Sequence, residues 1–433
     1  NVFMDKNKRL TVWLPVIIAA SIALGIFIGN HYLSISQGKK RSYSSGNKIN
    51  AILDIIDEQY VDTVSMSKLV ESTIPKIFSE LDPHSVYIPA EDASVVNEEL
   101  EGSFSGIGVS FNMQTDTILV ISVISGGPAE KAGLLPFDRI ISINDSIFSG
   151  KKKNQGEIMK TLRGAKNSTV KLGVQRGNSP ELLYFDVTRG DVPVNSVDVS
   201  FEAAKGIGYI KVSKFARNTY NEFITAIAKL KQAGCTSFVI DLRGNTGGYM
   251  DAAINMINEF MPEGRLIVYT EGKSFPRSDV YANGTGTCKD APIVVLTDEI
   301  SASASEIFSG AIQDNDRGTI IGRRTYGKGL VQTQMSLSDG SEMRLTIARY
   351  YTPSGRCIQK KYEMGNTDAY DQDIYNRYMH GEFDSADSIK MDDSLKYQTV
   401  GGRTVYGGGG IMPDIFIPRD TSGVTSYYSN VVN

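Results

Sequence analysis

Histidine is nearly absent from these 433 residues: His31, His84 and His380 are the only three. A Ser/His/Asp triad needs a histidine in its core. None is placed to serve, because His31 borders an apolar N-terminal run, His84 precedes a strand-rich region and His380 lies in a polar stretch. Cysteine is equally sparse. Cys235, Cys288 and Cys357 are far apart and show no C-x-x-C or Cys/His metal spacing. Three free or buried thiols is the favoured reading, with a disulfide between two of them as the alternative. Net charge is only −4, which gives no basic footprint for a nucleic-acid partner. With 41% hydrophobic and 22% charged residues, the chain is not disordered in bulk, and its length suits two or three domains.

The N-terminus carries a targeting pattern. Lys6, Lys8 and Arg9 precede an apolar run over 10–29, close to the roughly 20 residues that cross a bilayer. No A-x-A cleavage site follows, so an uncleaved anchor is expected over 1–30. The basic residues before it predict a cytoplasmic tip and an exported body on a single-pass inner-membrane protein, although Lys39, Lys40 and Arg41 weaken that bias. Residues 31–47 read as a polar linker. Over 48–100, Ile49, Ile52, Ile55 and Ile56, then Leu69, Val70, Ile74 and Ile77, follow helical spacing. Such helices serve either as a packing scaffold or as a contact between copies.

From residue 101 to about 190 the period shortens, with Gly, Pro and Asp between short apolar runs, as in strands joined by turns. From 191 to 433 strands and helices alternate. Strands are expected over 208–212, 237–242, 266–269, 293–297, 319–321 and 342–350, and helices over 219–233, 249–260 and 304–314. That order suggests an α/β core. Residues 360–400 are polar, rich in Tyr and Asp and weakly periodic, and are treated as an insertion.

Within the strand-rich part, Ser105-Gly106-Ile107-Gly108-Val109 opens a strand, and Gly126-Gly127-Pro128-Ala129-Glu130-Lys131-Ala132-Gly133-Leu134 is followed by Asp138-Arg139-Ile140-Ile141-Ser142-Ile143-Asn144. The second segment resembles the PDZ domain, over 102–189. The resemblance implies capture of a peptide's C-terminal carboxylate by the Gly106, Ile107 and Gly108 backbone, with the peptide added as a strand. The alternative is that the glycines merely make a tight turn. Arg163 is either a residue beside that groove that senses an occupied tail or a solvated helix-end arginine.

Three segments of the α/β part bear chemistry: Asp241-Leu242-Arg243-Gly244-Asn245-Thr246-Gly247-Gly248, Ser301-Ala302-Ser303-Ala304-Ser305-Glu306, and Thr325-Tyr326-Gly327-Lys328-Gly329-Leu330-Val331-Gln332. The first two each lead from a strand into a helix, where close-approaching backbone N–H groups and the helix dipole favour an anion. With histidine scarce, lysine is the base that remains, provided burial lowers its pKa.

Together these segments, with the late Gly407–Asp414 stretch, resemble the C-terminal processing peptidases, or tail-specific proteases, over 81–418. The resemblance implies a crotonase-like β/α peptidase core carrying an inserted PDZ module. It places the nucleophile at Ser303, the general base at Lys328, a lysine-orienting role at Gln332 and oxyanion-hole amides at Gly248 and Ala304. Ser301 and Ser305 are the structural alternatives for the nucleophile, Glu306 a first-turn helix residue, Asp241 and Arg243 a strand-end ion pair, and His84 part of a turn motif. It implies protein substrates with free C-termini, no metal and no cofactor. The rivals are a non-catalytic PDZ scaffold on the same fold and a crotonase-like acyl-CoA enzyme, against which the peptide-binding module argues.

Overall fold

The structure is a computed structural model that describes residues 15, 18–26, 45–114, 117–148 and 155–420. The chain divides into two units, Asn1–Thr73 and Ile74–Asn433. Helix Ser45–Gln59 belongs to the first, and helix Met66–Ser79 runs across the division. Among the described residues no helix is long and apolar enough to cross a membrane. That finding runs against the expected anchor and the single-pass inner-membrane placement. Of the apolar run, residues 15 and 18–26 are described. The rest of the run, and the linker up to residue 44, lie outside the described residues.

In the second unit, an antiparallel sheet follows the path Val109–Gln114, Thr117–Val123, Arg139–Ile143, Thr169–Gln175, Leu183–Thr188. Alternation decides its inner face: Val170, Leu172 and Val174 are fully buried and join Ile118, Val120, Ile140 and Ile158 in one core. Strand Ser103–Gly106 pairs antiparallel with Gly190–Pro193, so the chain enters and leaves this module side by side.

The larger core is built on a six-stranded sheet ordered Val197–Ala204, Ile207–Val212, Ser237–Asp241, Ile293–Thr297, Thr319–Gly322, Ile415–Phe416. The first pair is antiparallel and every later pairing is parallel. Parallel strands need crossover connections; helices Thr219–Gln232, Met250–Asn258 and Ala304–Asp314 lie in the first three, and residues 323–414 make the last. Phe223, Phe238, Phe260 and Phe308 fill the space between helices and sheet; burying each contributes on the order of 2 kcal/mol. A second sheet pairs Glu342–Tyr351 with Leu330–Ser336, Val86–Ile88 and Leu266–Glu271, the last of which also pairs with Ser278–Tyr281. The elements expected from periodicity are all present within a few residues.

The weakly periodic insertion contains the helix Thr367–Met379. Its buried residues are Tyr370 and Arg377, so no apolar stripe marks it. The three cysteines are free thiols, with Cys235 and Cys288 buried.

Candidate active site

Strands Ser237–Asp241, Ile293–Thr297 and Thr319–Gly322 are consecutive neighbours in the parallel sheet. Their carboxyl ends therefore deliver three loops to one place, the crevice where open α/β sheets bind ligands. The loops are stitched together. Ala302 N–H donates to the Asn245 carbonyl at 3.0 Å, Tyr326 N–H to the Ser301 carbonyl at 3.0 Å, and Gly244 N–H to Asp298 Oδ1 at 2.9 Å. Between them lies a cavity of about 780 Å3 lined by Gly248, Ser303, Ala304, Lys328, Gln332 and Arg344, among others.

The three neighbouring serines are separated by their partners. Ser301 Oγ donates to the Leu242 carbonyl at 2.8 Å, and Ser305 Oγ to the Asn245 carbonyl at 2.9 Å; both side chains are buried. Ser303 faces the cavity. Its backbone has φ +55° and ψ −112° just before helix Ala304–Asp314. A side-chain-bearing residue in that region stores about 1–3 kcal/mol of strain, and such a strand-to-helix elbow projects a hydroxyl from the backbone.

That elbow is held by Glu306, whose Oε2 accepts the Ser303 N–H at 2.8 Å. The same carboxyl accepts from Thr325 Oγ1, from Gly327 N–H at 2.7 Å and from Lys328 N–H at 2.8 Å. Complete burial pushes its pKa up to about 7 against these four hydrogen bonds. All four contacts are donors, so the arrangement seats the ionised carboxylate. Tyr350 spans the same gap from the second sheet. Its phenolic oxygen lies 3.0 Å from the Ser303 carbonyl oxygen and donates to the Lys328 carbonyl. From sequence, Glu306 has only a first-turn helix role, although Ser/x/x/Glu spacing is the signal of such a cap; no sequence signal marks its reach to residues 325–328, nor Tyr350.

Lys328 Nζ donates to Gln332 Oε1 at 3.0 Å. Burial, and then the positive charge of Arg344, hold the amine below the ordinary lysine value. Among the described residues no hydrogen bond joins Lys328 Nζ to Ser303 Oγ, although both line the cavity. Gln332 Nε2 donates to the backbone carbonyl of His84. The turn motif of His84, expected to have no catalytic role, thus touches the site.

Gly248 has φ +139°, and a Cβ there would lie 2.1 Å from the Phe215 carbonyl oxygen, so no side chain fits. The Ala304 amide opens its helix, where geometry leaves N–H groups without intrahelical acceptors. Asp241 forms the expected strand-end pair, 2.7 Å from Arg243, and also accepts from the Tyr209 hydroxyl at 2.6 Å.

In the smaller module, Gly108 has φ +78° and Ile107 is buried, its carbonyl accepting Ala129 N–H at 2.7 Å. Strand Val109–Gln114, which follows, is an edge of its sheet. Arg163 lies beside Gly106, where a Cβ would be 3.7 Å from its Cγ. It pairs with Glu98 at 3.1 Å and lies over the Phe104 ring at 4.5 Å.

Residues 206–368 match the family model described as peptidase family S41, and residues 105–198 match that of the PDZ domain. The carboxy-terminal processing protease CtpB of Bacillus subtilis (strain 168) is 35% identical over 318 residues, 73% of this chain and 66% of that protein. A probable CtpA-like serine protease of Staphylococcus aureus (strain N315) is 33% identical over 365 residues, 82% of this chain and 72% of that protein. The chain belongs to peptidase family S41, the family of these proteases. Among solved structures, the photosystem II D1 C-terminal processing protease matches 87% of this chain and 94% of its own at 24% identity, with a TM-score of 0.43. The S41 match spans all three site loops, and the PDZ match spans the glycine turn of residues 106–108.

Proposed function

We propose that this S41 peptidase cleaves proteins near their C-terminus by acyl transfer to Ser303, with Lys328 as general base. The observation that carries the reading is the cavity itself. It brings together one serine hydroxyl that, among the described residues, donates to no main-chain carbonyl and one lysine whose amine is held below its ordinary pKa. A neutral Lys328 amine takes the Ser303 proton as Oγ attacks the scissile carbonyl, then gives it to the leaving amine. Water then hydrolyses the acyl-enzyme, and Ser303 regains its proton. Gly248 and Ala304 N–H groups receive the developing oxyanion; such a donor is typically worth about 10²–10³ in turnover. Gln332 fixes one N–H of the amine, which turns the lone pair elsewhere.

The substrate tail adds to the edge strand Val109–Gln114, its carboxylate held by the backbone of Gly106, Ile107 and Gly108. Arg163, bound to Glu98 beside Gly106, is assigned to sense the occupied tail. The parallel strands with glycine-rich loops at their carboxyl ends support the crotonase-like description of the core. The proteolytic names of the relatives favour an enzyme over the non-catalytic scaffold.

The test is cleavage of an unstructured protein with an apolar C-terminus. Ser303→Ala and Lys328→Arg, the latter keeping charge without a usable base, should each lower turnover by at least about 10³-fold. Wild-type rates in either would overturn the dyad. Amidation of the substrate's C-terminus should raise KM, and an unchanged KM would overturn the tail-capture half.

A further inference from the structure

The insertion over 360–400 touches the lysine loop, and the contact continues into the hydrogen bonds that hold the base. The order is continuous. Lys328 Nζ donates to Gln332 Oε1, Gln332 Nε2 donates to the His84 carbonyl, and His84 Nε2 lies 2.9 Å from the Tyr370 hydroxyl. The direction of the first two links is forced. A backbone carbonyl only accepts, so His84 holds the Gln332 amide with its nitrogen outward and its oxygen toward the lysine. A neutral amine has two N–H bonds and one lone pair. Fixing one N–H at Gln332 Oε1 restricts where the lone pair points, which decides whether it can reach Ser303 Oγ.

His84 is itself pinned on both sides. Its N–H donates to Asp82 Oδ1 at 3.0 Å, and Asp82 also accepts from Thr346 Oγ1 at 2.9 Å, which ties the turn to strand Glu342–Tyr351. Tyr370 holds the ring. Its oxygen accepts from Gln359 Nε2 at 3.3 Å and lies 2.9 Å from His84 Nε2, the direction of that second bond being set by the imidazole tautomer. The two rings meet edge to face at 5.2 Å. The helix carrying Tyr370 is registered against the lysine loop, because the Arg377 guanidinium donates to the carbonyls of Thr325 at 3.0 Å and Arg324 at 2.8 Å. Lys360 N–H donates to the Gly327 carbonyl at 2.9 Å, and its ammonium lies 3.9 Å from the centre of the Tyr370 ring.

We propose that Tyr370, in the insertion helix Thr367–Met379, is a positioning residue for the general base, acting through His84 and Gln332 on Lys328. This rests on the Ser303–Lys328 reading and gives the insertion a part in the reaction.

Tyr370→Phe removes the hydroxyl and keeps the ring. In the full chain it should lower kcat about tenfold with KM within about twofold, an effect of one neutral hydrogen bond. It should also move the acid limb of the kcat–pH profile to higher pH, as a loosened amine is better hydrated. His84→Phe cuts the same link from the other side and should behave alike, so misfolding of one variant leaves the other to decide. On a Gln332→Ala background Tyr370→Phe should cost less than about twofold more, since the residue it acts through is gone. The exposed Tyr375→Phe on the same helix should match wild type.

An equal loss on both backgrounds, or an equal loss in Tyr375→Phe, would show a general effect of the helix and overturn the proposal. If Ser303→Ala and Lys328→Arg are dead while Tyr370→Phe keeps wild-type kcat and pH profile, the dyad stands and this inference alone falls. If Lys328→Arg is active, both fall.

Discussion

One oxygen of Glu306 accepts the backbone N–H of Lys328 at 2.8 Å, and it is the oxygen that accepts the Ser303 N–H at 2.8 Å. A single buried carboxylate thus sets the spacing of the two loops that carry the proposed nucleophile and base. Glu306→Gln keeps the shape but turns an NH2 group toward N–H donors, leaving buried donors unpaired. It should cost about 3 kcal/mol in urea unfolding and lower turnover by about 10²-fold. A variant with wild-type stability and rate would show that the spacing is held elsewhere.

His84 gives a pH signature. Burial, then the positive charge of Lys328, lowers its pKa from 6.5 to about 4. Between those values the unfolded chain binds a proton that the folded chain refuses. This contribution to stability is therefore complete above pH 6.5 and is lost as pH falls toward 4, on the order of 2 kcal/mol for a half-buried ring. Urea midpoints measured at pH 7 and pH 4.5 should differ by less in His84→Phe than in wild type. Identical differences would remove His84 from the acid sensitivity.

Arg344 lies in the cavity wall and is the second cause, after burial, of the lowered Lys328 pKa. Arg344→Gln removes a like charge, so the amine becomes more basic. The acid limb of kcat/KM should move to higher pH at low salt. Raising ionic strength should narrow the difference between wild type and variant, because salt already screens the arginine. A shift in the other direction would contradict the electrostatic account.

Gly247 and Gly248 have no room for side chains. A Cβ at Gly247, where φ is +104°, would lie 2.8 Å from Ser303 Cβ; one at Gly248 would lie 2.1 Å from the Phe215 carbonyl oxygen. Gly248→Ala should displace the proposed oxyanion amide and lower kcat by about 10²–10³-fold. The melting midpoint should fall with it, because the Phe215 backbone must also shift. Retained kcat would exclude that amide from the oxyanion hole.

Sequence alone determined the local elements. Strands at 293–297 and 319–321 and the helix over 304–314 were legible because periodicity and turn residues act over a dozen or so neighbours. The resemblance to the C-terminal processing peptidases, rather than periodicity, put Ser303, Lys328 and Gln332 forward as site residues, and Glu306 stood only as a first-turn helix residue. The insertion helix was not legible, since a tyrosine and an arginine form its buried side. The apolar run at the N-terminus predicted a spanning helix, and among the described residues no helix is long and apolar enough to cross a membrane.

Only the tertiary structure decided the rest. The order of three adjacent parallel strands brings the loops of Gly248, Ser303 and Lys328 to one cavity. The partner of Gln332 is a carbonyl 248 positions away, and that of His84 is a hydroxyl 286 positions away. Such pairings follow from how sheets and insertion close around a shared core, and no window of neighbouring residues contains them.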